Sequence, residues 1–458
     1  NEPPDTFSSP TILFGVPTFT DTFRYVLQSW YGRVNYTFKN RYLLTATLRA
    51  DATSRFSPET RWGYFPSVAL AWKIDEEEFL RSVRQFSQLK LRAGYGITGQ
   101  QDGIALYPYL ARYTPSETSA QYQFGGQFIN TLRPEAYDRN IKWEETTTYN
   151  IGLDFGFFDD RITGSLDLYR RFTSDLLNNI RPPAGSNLGN EVVTNVGSIE
   201  NQGFELTTNF DIVRREDWNV SFGFNVTRNL NTISQLTQVA SDSAIGNLVG
   251  DISGGVGNTV QVHTVGFPTF SFYVLEQVYD DAGLPIEGEY VDRNGDGEVN
   301  LDDRYRFENP TPDYFLGATG NVSYKSLSLS FVVRGNIGQY VYNNVRSDRG
   351  TLRGVNNSPP FLTNMHRDVL TTRFENPQLF SDYYLEDASF VRLDNLVLSY
   401  SLPNLAKDRI RAQVSVIGQN LWVLTNYSGL DPEVANGIDN NFYPVPRTLS
   451  LGVNLSFR

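Results

Sequence analysis

The feature that most constrains this chain is a two-residue period held over long stretches. Leu449, Leu451, Val453, Leu455 and Phe457 alternate with Thr448, Ser450, Gly452, Asn454 and Ser456. Tyr149, Ile151, Leu153, Phe155 and Phe157 alternate with Thr148, Asn150, Gly152, Asp154 and Gly156. Trp218, Val220, Phe222, Phe224 and Val226 alternate with Asn219, Ser221, Gly223, Asn225 and Thr227. Successive side chains of a strand point to opposite faces, so each stretch is a strand with one apolar face. Shorter apolar rows recur at Leu89–Ile97 and Leu327–Val333. Helical periodicity is confined to Asp75 to about Val83. There the run Asp75-Glu76-Glu77-Glu78 reads as a helix start favoured by the dipole.

Two architectures fit long alternating strands. A soluble sandwich turns its apolar faces inward and uses strands of about 5–6 residues. A membrane barrel turns them to lipid and needs about 9–11 residues per crossing. The rows here run about nine to twelve residues, which suits the barrel. The opposite face is Gly, Ser, Thr and Asn with scattered charge, as in a wet lumen. Aromatics sit at row ends, as at Phe155–Phe158, Trp218, Tyr324, Tyr400 and Phe457, where interfacial girdles belong. The fold class is therefore all-β, a transmembrane antiparallel β-barrel.

Such barrels have short periplasmic turns and long outer loops. Phe38–Arg41, Phe158–Arg161, Val213–Asp217, Tyr324–Ser326 and Ser401–Lys407 read as inner turns. Gly99 to about Lys142, Leu176 to about Glu191, Gly338 to about Glu386 and Asn426 to about Val445 read as outer loops. The stretch 231–313 is either one very long outer segment or hides a hairpin near Val260–Thr264 and Phe270–Val274. Either way the chain holds about 13 or 15 strands, an odd number where closed single-chain bacterial barrels have an even one. An open edge in a bilayer strands backbone groups at several kcal/mol each. Further strands are therefore expected to close the barrel. The opening Asn1-Glu-Pro-Pro, which carries no signal peptide, is read as the start of a fragment or of a processed chain.

Composition excludes much chemistry. With no Cys and 2 His, thiolate metal sites, disulfides and cysteine nucleophiles are absent, and a multi-histidine centre is nearly excluded. Neither His263 nor His366 sits near a nucleophile elbow, so no enzymatic activity is expected. The net charge of −12 argues against a nucleic-acid partner. Gly94-Tyr-Gly96-Ile-Thr-Gly99 matches a dinucleotide fingerprint in letters only. It opens no helix, and its glycines read as close packing or bends in a barrel wall.

The sharpest local motif is Asp292-Arg-Asn294-Gly-Asp296-Gly297-Glu298-Val-Asn300-Leu-Asp302-Asp303. Oxygen donors at positions 1, 3 and 5, glycine at 6, a backbone carbonyl at 7 (Glu298) and a carboxylate at 12 form the calcium-loop pattern. Asp303 replaces the usual bidentate Glu, which weakens binding, and no flanking helices are evident. A structural Ca2+ in an outer loop is expected, held by Asp292, Asn294, Asp296, Glu298 and Asp303. Outer-loop aromatics (Tyr107, Tyr109, Tyr113, Tyr122, Tyr340, Tyr342, Tyr427, Phe442 and Tyr443) are either cargo-stacking groups or anchors of the loops themselves.

Several segments resemble, in order, the C-terminal barrel half of the SusC/RagA family of TonB-dependent outer-membrane transporters. They include residues 32–45, Arg61-Trp-Gly-Tyr-Phe-Pro-Ser67, Leu89-Lys-Leu-Arg-Ala-Gly-Tyr-Gly96 and Trp143-Glu-Glu-Thr146. Further along come Asn201-Gln-Gly-Phe-Glu-Leu206, the 292–303 loop, residues 384–393, Gly418-Gln-Asn-Leu421 and Asp431-Pro-Glu-Val434. The resemblance implies a 22-stranded plugged barrel in the bacterial outer membrane. The plug and early strands would lie in a remaining polypeptide, a SusD-like surface lipoprotein would lid the barrel, and TonB would deliver energy. The implied function is uptake of oligosaccharides or peptides, with substrate-binding residues not legible. The alternatives are a barrel that anchors a surface complex without transport, and a soluble β-rich adhesin.

Overall fold

The computed structural model describes residues 6–7, 21–22, 24–81, 83–117, 119–182, 185–236, 245–356, 364–405 and 410–457. Thirteen strands form one continuous antiparallel sheet in which every neighbour in sequence is a neighbour in space. They are β1 (Leu27–Phe38), β2 (Tyr42–Thr53), β3 (Trp62–Lys73), β4 (Phe86–Gln100), β5 (Glu144–Phe157), β6 (Ile162–Ser174) and β7 (Ser198–Arg214). There follow β8 (Trp218–Gln235), β9 (Tyr314–Tyr324), β10 (Leu327–Ile337), β11 (Phe390–Leu405), β12 (Ile410–Thr425) and β13 (Thr448–Phe457). The edges are β1 and β13, and among the described residues neither pairs with a further strand. Among the described residues no second sheet covers the apolar face, which is not the arrangement of a sandwich.

That face is bare. On β13 the alternating row Leu449 to Phe457 is 51–76% exposed, and on β5 Tyr149 and Ile151 are exposed while Asn150 and Gly152 are not. Apolar side chains in this quantity are stable only against hydrocarbon. Aromatics mark its inner margin. Trp218 pairs with Tyr324 across β8 and β9 with ring centroids 4.4 Å apart, and Phe38, Tyr42 and Trp72 follow one another at 6.3 and 6.4 Å.

The inner connections are tight. Lys39 and Asn40, Asp159 and Asp160, and Lys325 all take the left-handed backbone region that short hairpins need. The last inner turn lies later than the sequence suggests: β11 continues through Pro403 to Leu405, and Ala406 and Lys407 fall outside the described residues. The Asp75–Val83 helix is not formed. Only Ile74–Glu76 makes a turn of 3-10 helix, and the backbone is extended at Glu77. The acidic run has other work: Asp75 accepts the Leu89 amide at 3.0 Å, and Glu77 accepts from Arg41, Tyr42 and Trp72 at 2.7–3.1 Å. These carboxylates staple strand ends and do not start a helix. Among the described residues, three short α-helices form, Asn344–Arg349, Arg353–Asn356 and Val369–Thr372, all in an outer loop.

Among its described residues, the outer segment between β8 and β9 contributes no strand to the large sheet. Thr259–His263 and Ser271–Val274 do pair, but within a four-stranded sheet of its own together with Asn247–Asp251 and Tyr305–Arg306. The described chain's buried apolar clusters lie in or beside the outer loops. Ile252, Val260, Phe272, Val274, Tyr342, Tyr384 and Ile438 form the largest. Phe56, Phe65, Ile104, Ile141 and Trp143 form a second.

Of the three glycines in the Gly94–Gly99 stretch, Gly96 and Gly99 are close-packing sites and Gly94 is not. A Cβ on Gly99 would enter the Phe65 ring, though one on Gly94 would meet nothing within 4 Å. Gly203 on β7 is tighter: its Cβ would meet the Arg228 carbonyl and lie 2.7 Å from the Tyr169 hydroxyl. Gly203→Val should therefore cost about 1–3 kcal/mol of overpacking. It should reduce the heat-modifiable folded fraction of the full-length barrel on gels, whereas Gly94→Ala should leave that fraction unchanged.

Candidate functional site

The wall opposite the lipid face is polar and internally paired. Lys90, Arg92, Asp154 and Asp167 meet across β4, β5 and β6. Arg92 donates from Nε to Asp154 at 3.0 Å and from Nη2 to Asp167 at 2.9 Å, and Lys90 reaches Asp154 at 3.1 Å. The network needs Gly152 between them, because a Cβ there would lie 2.6 Å from the guanidinium carbon. Beside it, Tyr169 donates to Asn229 at 2.8 Å, and Asn231 to Asn201 at 2.9 Å.

Arginines tie the outer loops together and to this wall. Arg346, on the loop after β10, donates to Asp368 at 2.8 Å and to Glu386 at 3.2 Å, and stacks 4.2 Å over Tyr383. Burial alone would favour its neutral form, but Asp368 and Glu386 hold it firmly charged. Arg334 on β10 bonds Asp394 at 2.7 Å and grips Glu433 at 2.5 and 2.9 Å. Arg392 on β11, 2% exposed in its side chain, bonds Asp431 and reaches Asn420 at 3.3 Å. The loop after β12 is thus pinned to the wall by two guanidinium groups. Sequence reasoning did not single out these arginines. The signal was present in the family segments themselves: residues 384–393, 418–421 and 431–434 meet at Arg392, and Trp143 donates to the Arg61 carbonyl at 2.9 Å.

The outer-loop aromatics divide. Tyr342 and Tyr427 are buried, Tyr427 donating to Asp439 at 2.8 Å. Tyr107, Tyr109, Tyr340 and Phe442 are half-buried. Tyr113, Tyr122 and Tyr443 are exposed. Tyr113 and Tyr122 belong to an arm of two nested hairpins, Tyr113–Pro115 with Leu132–Pro134 and Tyr122–Phe124 with Gln127–Ile129. The arm turns at Gly125-Gly126, both at positive φ. Phe124, Phe128 and Leu132 on it are each 64–71% exposed.

The 292–303 loop lies in the segment between β8 and β9. Asp292 accepts from the amides of Gly295 and Gly297 at 2.7 and 2.9 Å, and Asp296 from that of Glu298 at 2.8 Å. Asn294 accepts the Asp296 amide at 2.8 Å. Asp303, fully buried, accepts from the amides of Arg293, Asn294 and Asn300 at 2.8–3.2 Å. The loop closes as the motif suggests, with no α-helix on either side. The expected ligands are only partly assembled, and among the described residues no three His, Asp or Glu side chains gather as a metal cage. Glu298 takes part through its backbone alone.

The family is settled by comparison. The description "TonB dependent receptor-like, beta-barrel" matches residues 2–337. The chain belongs to this family. Over 95% of its length it is 42% identical to the TonB-dependent receptor SusC of Bacteroides thetaiotaomicron, covering 44% of that protein. It is 32% identical over 94% of its length to TonB-dependent receptor P26 of Formosa agariphila, covering 46%. The solved RagAB peptide importer in its closed-closed and open-open states superposes with a TM-score of 0.79 in each case. Identity is 28% and 27%, over 96% of this chain and 49% and 48% of the solved one. The chain spans about half the length of these relatives. It is an outer-membrane β-barrel of SusC/RagA type, so the bare face is the lipid face and the long loops are extracellular.

In this setting Asp303 is the internal fastener of an extracellular loop. The amide of Asn300, then those of Asn294 and Arg293, hold its carboxyl below the ordinary carboxylate range, against the opposing effect of burial. A depressed carboxyl stabilises the folded loop above its unfolded value of about 3.9, and this is lost as pH falls through the folded value. Asp303→Asn should therefore speed hydrogen exchange of the Arg293, Asn294 and Asn300 amides at pH 6 in chelator. The difference from wild type should shrink below about pH 4.

Proposed function

We propose that this chain is the C-terminal part of a nutrient-importing barrel that works with TonB. The observation that carries this reading is the thirteen-stranded sheet, both of whose edges are unpaired among the described residues. In a bilayer those edges demand strands from a remaining polypeptide, which would also supply the plug and the TonB contact. The cargo would be oligosaccharide or peptide. The relatives' printed names support active uptake over a passive anchor, one solved neighbour being a peptide importer. The paired, solvated wall supports passage of polar solutes.

A SusD-like surface lipoprotein is the proposed lid. Its support is the hairpin arm, whose exposed Tyr113, Tyr122, Phe124, Phe128 and Leu132 form an apolar extracellular surface of the kind that marks a protein contact. Mass spectrometry of what co-purifies with this chain from detergent-solubilised outer membrane tests the whole proposal. A polypeptide carrying plug and early strands, together with a surface lipoprotein, is the expected result. This chain with surface proteins but no plug would instead favour the anchor.

Calcium is proposed for the 292–303 loop as a structural clip. The support is the donor set, with Asp292, Asn294 and Asp296 spaced for a hard cation and the Glu298 carbonyl and Asp303 at their positions. When bound, the ion would supply fixed positive charge that draws these oxygens inward, and no transport step requires it. The double variant Asp292→Ala/Asp296→Ala should abolish calcium-dependent protection of this loop from proteolysis. Equal digestion of wild type and variant, in calcium and in chelator alike, would remove calcium from the account.

A further inference from the structure

The lipid-facing rows of β6, β7 and β8, every second residue, are uncharged from their inner ends upward. They run from Ile162 to Leu168, from Phe210 to Gln202 and from Trp218 to Val226. Each row then meets a charge at nearly the same level. Arg228 on β8 lies opposite Phe204, Arg170 on β6 opposite Gln202, and Glu200 on β7 opposite Phe172. Directly opposed residues share a face, so all three charges stand on the lipid side. Arg228 is ten residues beyond Trp218 of the inner aromatic margin. At about 3.3 Å per residue and a tilt of about 40°, that is a rise of about 25 Å, the height of the apolar band of such barrels. The charges therefore sit where hydrocarbon gives way to the headgroups of the outer leaflet.

The two arginines differ in their pairing. Arg170 donates from Nε to Glu200 at 2.5 Å and stacks 4.5 Å over Phe172. Arg228 has no carboxylate partner and no side-chain hydrogen bond among the described residues, and its guanidinium lies 5.4 Å from the centre of the Tyr314 ring. Its Nε is enclosed without a partner, whereas its Nη groups are unbonded and open. One cation of the three charges is thus uncompensated. A guanidinium at the margin of hydrocarbon reaches for an anion or for water. The strands that would close the barrel join at β1 and β13, whereas β6, β7 and β8 already have neighbours on both sides. This face therefore stays open to the bilayer.

We infer that Arg228, with Arg170 beside it, binds the phosphate of an outer-leaflet glycolipid. The planar fork of a guanidinium matches two phosphate oxygens at once. Arg170 and Arg228 stand on strands two apart, so their columns are about 10 Å from each other across β7. Between them Gln202 is exposed, an amide able both to give and to take hydrogen bonds from sugar hydroxyls. Below them the rows through Leu168, Phe204 and Val226 are the wall along which acyl chains lie. A zwitterionic phospholipid would bring its own cation to a patch that already has one in excess. A sugar phosphate brings only the missing negative charge. The site is independent of whether the barrel imports or anchors.

The test is native mass spectrometry of the full-length barrel with its co-purifying partners, stripped of lipid in detergent. Bisphosphorylated lipid A, its dephosphorylated form, phosphatidylglycerol and inorganic phosphate are added in separate titrations. Bisphosphorylated lipid A should be retained as a discrete adduct. Arg228→Gln should weaken its retention by about tenfold, as expected for lost hydrogen bonds to a charged group. Arg228→Lys, which keeps the charge without the fork, should fall between. Arg139→Gln, at an exposed arginine of the loop after β4, should change nothing. Heat-modifiable migration confirms that the variants fold. Equal retention of lipid A by wild type and Arg228→Gln would overturn the site, as would equal retention of the dephosphorylated form. Arg228-dependent binding of phosphatidylglycerol or of inorganic phosphate in preference to lipid A would overturn the glycolipid assignment.

Discussion

The structure depends on one constraint: a backbone crossing hydrocarbon must hydrogen-bond to itself. A strand makes no such bonds within itself, so among the described residues each strand of the large sheet is paired on both sides except β1 and β13. The constraint fixes the antiparallel meander and the tight inner turns. It also inverts ordinary core logic, because the apolar residues of the sheet face outward and the membrane takes the place of a core. What is buried in the usual sense is the extracellular mantle.

That mantle is held by charge as much as by apolar packing. Arg346, Arg334 and Arg392 each join two carboxylates, or a carboxylate and an amide, from distant parts of the chain. Planar guanidinium groups suit this role, since each presents several donors in fixed directions. Arg346 and Arg392 are enclosed, and such groups are costly to leave half-paired. The arm carrying Tyr122 and Phe124 is built differently, from two short hairpins with bare apolar side chains.

The barrel was legible because its signal is periodic. The row Leu449–Phe457 states which face each residue takes, and the register follows once the turns are placed. Long-range polar pairing was not legible. Nothing in the run Asp75–Glu78 says that Glu77 reaches Tyr42 and Trp72, so the run looked like a helix start. Nor does the pairing of Thr259–His263 with Ser271–Val274 reveal whether it lies in the membrane. The small sheet it joins decides that. The 292–303 loop was legible as a turn, since its spacing closes Asx-type hydrogen bonds locally.

The account stands on the two faces of the sheet, and the chain's lack of Cys makes them directly measurable. Single cysteines placed in turn along β7 from Phe204 to Asn209, in the full-length barrel in bilayers, can carry a nitroxide label. Collision rates with oxygen and with a water-soluble nickel complex then read lipid against water. Phe204, Leu206 and Thr208 should favour oxygen, and Glu205, Thr207 and Asn209 should not, with a period of two. Uniform access to the nickel complex, or no alternation, would contradict the membrane barrel and every assignment that rests on it.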